Sequence, residues 1–205
     1  MNTLEFNKLL ATLYKASAKQ PNIIEVPKLK ILAIDGRGDP NTSKDFQAAV
    51  EALYGTAYTI KFMPKKGIIP PGYFEYKMPA LEGLWDITSG HFDMNNKSNW
   101  VWTMMIIQPD FVTDELLIQA KAMLAERKPL PNLDQLQLKT FTEGKCVQML
   151  HLGPYATEQA TVTKMQDFIE PKKIKNHGMH HEIYLSDPRR TAPEKIKTIL
   201  RYPIP

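Results

Sequence analysis

The segment Met179–Ser186 (MHHEIYLS) places a carboxylate between an imidazole and a phenol in a stretch that reads as a strand. Side chains alternate between the two faces of a strand. His180, Glu182 and Tyr184 therefore share one face, and His181, Ile183 and Leu185 the other. On an exposed sheet face the first set is an ordinary solvated pattern. In a poorly hydrated aromatic setting, desolvation raises the pKa of the glutamate and makes it a general acid or base. The same carboxylate would anchor a cationic or hydrogen-bonding ligand, with aromatic rings adding cation–π attraction.

A second strand, Asn99–Gln108, separates in the same way. Trp100, Trp102, Met104 and Ile106 point to one side; Val101, Thr103, Met105 and Ile107 point to the other. The β-branched set suits packing beneath a helix. The aromatic set suits either a core or a pocket for a flat ligand, and Trp85 is a further candidate wall. In GYFEYKMP, Tyr73 and Glu75 share a face, and a crude alignment with HHEIYLSDP puts Glu75 near Glu182. A register shift of one residue would reverse that face. Tyr155, after Gly153-Pro154, either caps the core or projects toward a cavity.

Other chemistries find less support. His180 and His181 point to opposite faces, so they cannot ligate one ion without distortion, and no metal site is expected. The GRGDP stretch at 36–40 lacks the G-x-x-x-x-G-K-[ST] of a phosphate loop, and no G-x-S-x-G occurs. No cofactor is expected. Cys146 is the single cysteine; it cannot form an internal disulfide, which fits a reduced, cytoplasmic setting.

The elements that must position these residues read as follows. Residues 3–14 form a short amphipathic helix, followed by a polar arm to Pro27. Strand 28–35, helix 43–60, a kinked strand 73–87 and strand 99–107 make one unit. Helix 111–127 is closed by Pro129 and Pro131. Segments 136–142 and 146–152 flank Glu143-Gly144, a hairpin signal. Strand 146–152, helix 156–169, strand 179–186 and a strand near 197–203 make a second unit. The chain thus divides into an N-terminal helix and arm, 1–27, and a domain, 28–205, with pseudo-repeats 28–108 and 136–205. The expected fold is α+β: duplicated strand–helix–strand–strand units forming a curved antiparallel sheet, with helices on one face and a central ligand pocket.

Composition bounds the partners. The chain has 205 residues, 26 Lys and Arg, 22 Asp and Glu, and a formal charge of +4. The basic residues occur as isolated pairs, so direct nucleic-acid binding is not expected. The longest apolar runs fall short of the ~20 residues that span a bilayer. The N-terminus lacks the continuous apolar run of a signal peptide. No membrane association is expected.

The segments DFQAAVEALYGTAYTIKF (45–62), GYFEYKMPALEGLWD (72–86), WVWTMMIIQPDFVT (100–113), MLHLGPYATE (149–158) and HHEIYLSDPRRTAPEKIKTILRYPI (180–204) together resemble the GyrI-like small-molecule-binding proteins. The resemblance covers about residues 15–205 and implies a duplicated fold with a central pocket, similar to effector domains of multidrug-sensing regulators. It implies a small aromatic or cationic ligand, with Glu182 matching the pocket-floor glutamate. Stand-alone members include hydrolases that open the cyclopropane of DNA-alkylating compounds. By that resemblance, Glu182 and Tyr73 would be catalytic. Glu75, Trp85, Trp100, Trp102, Met104, Tyr155, His180 and Tyr184 would bind the ligand. The chain before the first strand is shorter than a DNA-binding domain. A homodimer, a protein partner, topoisomerase inhibition and a regulator's effector subunit remain open alternatives.

Overall fold

In the computed structural model, residues 1–88, 97–174 and 177–205 are described. Eight strands form one antiparallel sheet: β1 (Asn22–Val26), β2 (Leu29–Arg37), β3 (Leu81–Ile87), β4 (Trp100–Gln108), β5 (Gln137–Phe141), β6 (Gly144–Leu152), β7 (His180–Tyr184) and β8 (Lys197–Pro203). Their order is β1-β6-β8-β7-β3-β4-β2-β5. Four α-helices accompany them: α1 (Thr3–Leu13), α2 (Lys44–Phe62), α3 (Asp114–Arg127) and α4 (Gln159–Ile169). The fold is the expected α+β arrangement. The unit β2-α2-β3-β4 meets the unit β6-α4-β7-β8 edge to edge through β3 and β7.

Local sequence explains the helices. Asn2 and Glu5 form a reciprocal capping box at α1, and Ser43 and Thr113 cap α2 and α3. In α2, Ala49, Ala52, Leu53, Ala57 and Ile60 make one buried stripe. The first four pack on Leu32, Ile34, Trp102, Met104 and Ile106, so the tryptophan face of β4 lies beneath α2. The β-branched face is covered instead by α1 and the 73–80 segment: Phe6, Leu10 and Leu13 pack with Met105, Ile107, Phe74 and Tyr76. Burying each of these large side chains contributes about 1.5–3 kcal/mol.

Two expectations need correction. Residues 73–80 are not a strand; β3 begins at Leu81. Pro79 has no N–H for a ladder, and the segment packs its aromatic rings instead, Phe74 against Phe6 at 5.8 Å and against Phe111 at 5.3 Å. Nor do 136–142 and 146–152 pair as a hairpin. β5 pairs with β2 and β6 with β1 and β8. Only Thr142 and Glu143 link β5 to β6, and only Pro27 and Lys28 link β1 to β2. Two residues span at most about 11 Å between flanking Cα atoms, so the two ends of the strand order approach each other and the sheet must curl.

The face opposite α2 carries a buried ionic cluster. His181 Nδ1 meets Glu143 Oε1 at 2.8 Å and His181 Nε2 meets Glu82 Oε2 at 3.0 Å. Carboxylates only accept, so both ring nitrogens carry hydrogen and the imidazole is a cation. Burial alone would lower its pKa, but Glu143 and Glu82 raise it to about 9. Arg201 donates to Glu143 Oε2 at 3.3 Å, to Gln148 Oε1 and to the Leu13 carbonyl at 2.7 Å. The Tyr14 hydroxyl donates to Glu82 at 2.8 Å. The cluster thereby ties the end of α1 to the centre of the sheet.

Candidate functional site

Strand register carries one row of side chains across the helix-bearing face: Ile34, Met104, Gly83, Glu182, Leu200 and Met149 are successive cross-strand neighbours. α2 packs over the β2–β4 end of this row and α4 over the β6 end, where Met165 and Ile169 meet Met149 and Leu200. The central pair β3–β7 lies between the two helical footprints. Glu182 projects there, directly opposite Gly83, where an added Cβ would lie 2.9 Å from Trp85 Nε1 and 3.1 Å from the Tyr184 hydroxyl.

Neighbouring groups hold Glu182 in place. Tyr184 donates its hydroxyl to Glu182 Oε2 at 2.7 Å, and Trp85 Nε1 donates to the Tyr184 oxygen at 3.0 Å. His180 Nε2 lies 3.1 Å from Glu182 Oε1. The His180 ring packs on Tyr202 at 5.0 Å, and Tyr155 meets Tyr184 edge to face at 5.9 Å. The Glu182 side chain is only 12% exposed. Burial, then Glu182, pushes the Tyr155 phenol up to about 12.

The decisive neighbour is Glu158, just before α4 and 6% exposed. Its carboxyl faces that of Glu182. Two carboxylates in so dry a place cannot both ionise. Burial, then the charge and hydrogen bonding of Glu182, raises Glu158 to about 10, with Lys97 opposing. Glu158 therefore keeps its proton at neutral pH. Glu158 Oε1 has no hydrogen-bond partner among the described residues.

This arrangement predicts a pH signature. The unfolded chain releases the Glu158 proton near the ordinary 4.5, whereas the folded chain keeps it to about 10. The folded state binds the extra proton between those values, so this group makes stability fall as pH rises through that window. Glu158→Gln is expected to flatten the decline and to be more stable than wild type at pH 8. Urea unfolding across pH 5–9 checks this; an unchanged slope would place the proton elsewhere.

The structure brings His180, Glu182, Tyr184, Trp85 and Tyr155 together. Trp100 stands beside Trp85 at 5.6 Å, with the Lys97 ammonium 4.7 Å above its ring. Trp102 belongs to the same buried cluster beneath α2 as Trp85 and Trp100, and the Met104 sulfur closes over Gly83 beside Trp85 Nε1 and the Tyr184 hydroxyl. Trp102 meets Phe46 edge-on at 5.1 Å, and its ring fills the space over Gly36, where an added Cβ would lie 2.1 Å from a ring carbon. Gly36→Ala is expected to cost about 1–3 kcal/mol by overpacking. A lowered urea midpoint with unchanged slope would show it; an unchanged midpoint would mean the indole retreats freely.

Tyr73 and Glu75 do not join the cluster. Tyr73 packs on Phe111 at 5.4 Å, in the core of the opposite face, and Glu75 is exposed. Both lie before β3, and the strand position facing Glu182 belongs to Gly83. Reading from sequence missed Glu158, Tyr202 and Lys97. A glutamate in the first turn of a helix reads as an ordinary partner of the helix dipole, so Glu158 carried no signal of its own.

Glu158, His180 and Glu182 each present one ligand atom within 4.8 Å of the others, so this group could reach a common cation. The third member is Glu158, not the His181 weighed from sequence. Surface depressions of about 580 Å³, beside Leu152, Leu185 and Lys197, and about 320 Å³, beside Lys30 and Val112, include neither glutamate. The pair lies close to the phenols of Tyr155, Tyr184 and Tyr202. Among the described residues, no helix is long and apolar enough to cross a membrane.

Comparison with known proteins fits this geometry. Residues 19–205 match the family model described as the GyrI-like small molecule binding domain. A crystal structure of an uncharacterized conserved protein from Listeria innocua is 42% identical, with each chain covered over 100% of its length and a TM-score of 0.90. A second, described as a hydrolase from Listeria innocua, is 40% identical with a TM-score of 0.90, covering 100% of this chain and 99% of that one. The EcmrR C-terminal domain shares the fold at 11% identity and a TM-score of 0.55, covering 91% of this chain and 97% of its own. No curated protein sequence gives a significant match.

Proposed function

The chain belongs to the GyrI-like small-molecule-binding family, and from that premise we propose that it hydrolyses flat aromatic electrophiles, with cyclopropane-bearing alkylators as the substrate class. The observation that carries this reading is the facing of two poorly hydrated carboxyls, buried Glu158 and nearly buried Glu182, beside Tyr155 and Tyr184. The hydrolase description of a 40%-identical relative supports it.

A protonated and an ionised carboxyl side by side supply an acid and a base at once. For a cyclopropane conjugated to a dienone, Glu182 takes a proton from water as the water oxygen bonds to the ring methylene. The breaking ring C–C bond sends its electron pair through the dienone to the carbonyl oxygen. That oxygen takes the Glu158 proton and becomes a phenol. The proton on Glu182 returns to Glu158 across their contact, and the net change is addition of one water. Tyr184 and His180 aim Glu182. Trp85, Trp100 and Tyr155 would flank the flat substrate, which enters by parting the rings beside the pair.

Incubation with a spirocyclopropyl dienone, followed by mass spectrometry, tests the proposal. Wild type is expected to yield the product that has gained one water, and Glu158→Gln and Glu182→Gln to yield little above background. Ligand-dependent tryptophan quenching without product would mean binding without turnover. Neither quenching nor product would overturn the reading.

A further inference from the structure

We propose that His151 is a positioning residue whose hydrogen bonds hold the 153–158 turn, and with it Glu158, against Glu182; the inference rests on the paired-carboxyl reading above. His151 is on β6, 4% exposed, and touches neither glutamate through any hydrogen bond. Its Nε2 lies 3.2 Å from the Pro154 carbonyl and 3.2 Å from Thr157 Oγ1, and its Nδ1 lies 2.8 Å from Thr161 Oγ1. A carbonyl only accepts, so Nε2 carries a hydrogen, while Nδ1 pairs with the Thr161 hydroxyl. The gripped residues precede and follow Glu158 at the spacing that puts them on one side of the helical turn.

Independent features of the turn agree. Gly153 has φ 133°, and a Cβ there would lie 3.2 Å from Thr157 Oγ1 and 3.4 Å from His151 Nε2. A side chain would thus press into the latch. Thr161 is 7% exposed, and its backbone N–H donates to the Glu158 carbonyl at 2.8 Å. The backbone of Glu158 is therefore fixed through Thr161, which His151 holds, while its side chain faces Glu182 and His180. A misplacement of about 1 Å at such a site costs on the order of 100-fold in rate.

The test compares His151→Leu, His151→Gln and Thr161→Val with wild type, all confirmed folded by circular dichroism. His151→Leu is expected to lower kcat for the spirocyclopropyl dienone about 10- to 100-fold, with KM changed only a few-fold. His151→Gln keeps a donor and an acceptor and is expected to retain most of the rate, with Thr161→Val intermediate. A second readout does not depend on the reaction: the decline of stability between about pH 7.5 and 9.5, compared between variants because His181 adds the same decline to each. Glu158 is faced there by Glu182, His180, Tyr155, Tyr184, Tyr202 and Lys97, and these are the same in every variant. His151→Leu is expected to flatten that decline toward the Glu158→Gln profile, and to change it no further when combined with Glu158→Gln. Wild-type rate and slope in His151→Leu, or equal losses in His151→Gln, would overturn the proposal. Absence of turnover in wild type would overturn the hydrolase reading, while the slope would still decide the latch.

Discussion

Glu182→Gln is expected to reduce turnover of a spirocyclopropyl dienone by about 10²–10⁴-fold, the usual contribution of general acid–base catalysis. Glutamine preserves the size and one acceptor of the side chain, so Tyr184 still has an oxygen to donate to. It cannot take a proton from water. Glu158→Gln is expected to fall in the same range for the complementary reason: an amide cannot deliver a proton to the substrate oxygen. Two residues acting as one unit lose their effects together, so the double variant should be scarcely slower than either single one. Ligand affinity, carried by the aromatic walls, should change only a few-fold in each case. Rates from single-turnover mass spectrometry and affinities from tryptophan quenching check the two halves separately. Additive losses across the three variants would argue that the glutamates act independently.

Arg201→Leu is expected to have the largest effect on stability, about 3–5 kcal/mol, because it leaves Glu143 charged and half-paired in the core. Arg201 is 1% exposed, and its guanidinium also satisfies Gln148 and the Leu13 carbonyl. The loss would show as a fall of roughly 10 °C in Tm for a chain of this size. Trypsin cleavage near the now loosened α1 should rise in parallel. The cluster also sets a pH limit. His181 keeps its proton to about 9 in the folded state, against an ordinary 6.5. Its contribution is therefore complete below about pH 6.5 and lost as pH rises through 9. Glu143 runs the other way: burial would raise its pKa, but His181 and Arg201 hold it below 4.5, so its contribution disappears in acid. Replacing the whole set by apolar residues of like volume could be nearly neutral; breaking one member is not.

Much of the fold was legible because periodicity and turn residues marked it. The two strand–helix–strand–strand units and the faces of β4 and β7 follow from alternation alone, and those faces correctly grouped His180, Glu182 and Tyr184. Which face the helices cover was not legible. Trp102 and Met104 suit a core as well as a pocket, and only the packing of Phe46 and Leu53 over them decides. The hairpin at Glu143-Gly144 failed for a related reason. A two-residue link between strand-like runs looks the same whether the strands pair or part to opposite ends of a curled sheet. Glu158 and His181 show the deeper limit. Each acquires its character from a carboxylate distant in sequence: Glu182 for Glu158, Glu82 and Glu143 for His181. Neither segment contains that partner.

The most direct measurement is a ¹³C titration of the Glu158 and Glu182 carboxyls, wild type against Glu182→Gln. In wild type, one carboxyl, assigned to Glu158 by its absence in Glu158→Gln, should keep its proton to about pH 10. Removing the facing carboxylate charge in Glu182→Gln should bring it well down. If both carboxyls instead ionise near 4.5, the pair holds no proton at neutral pH, and the acid–base site proposed for this fold does not exist.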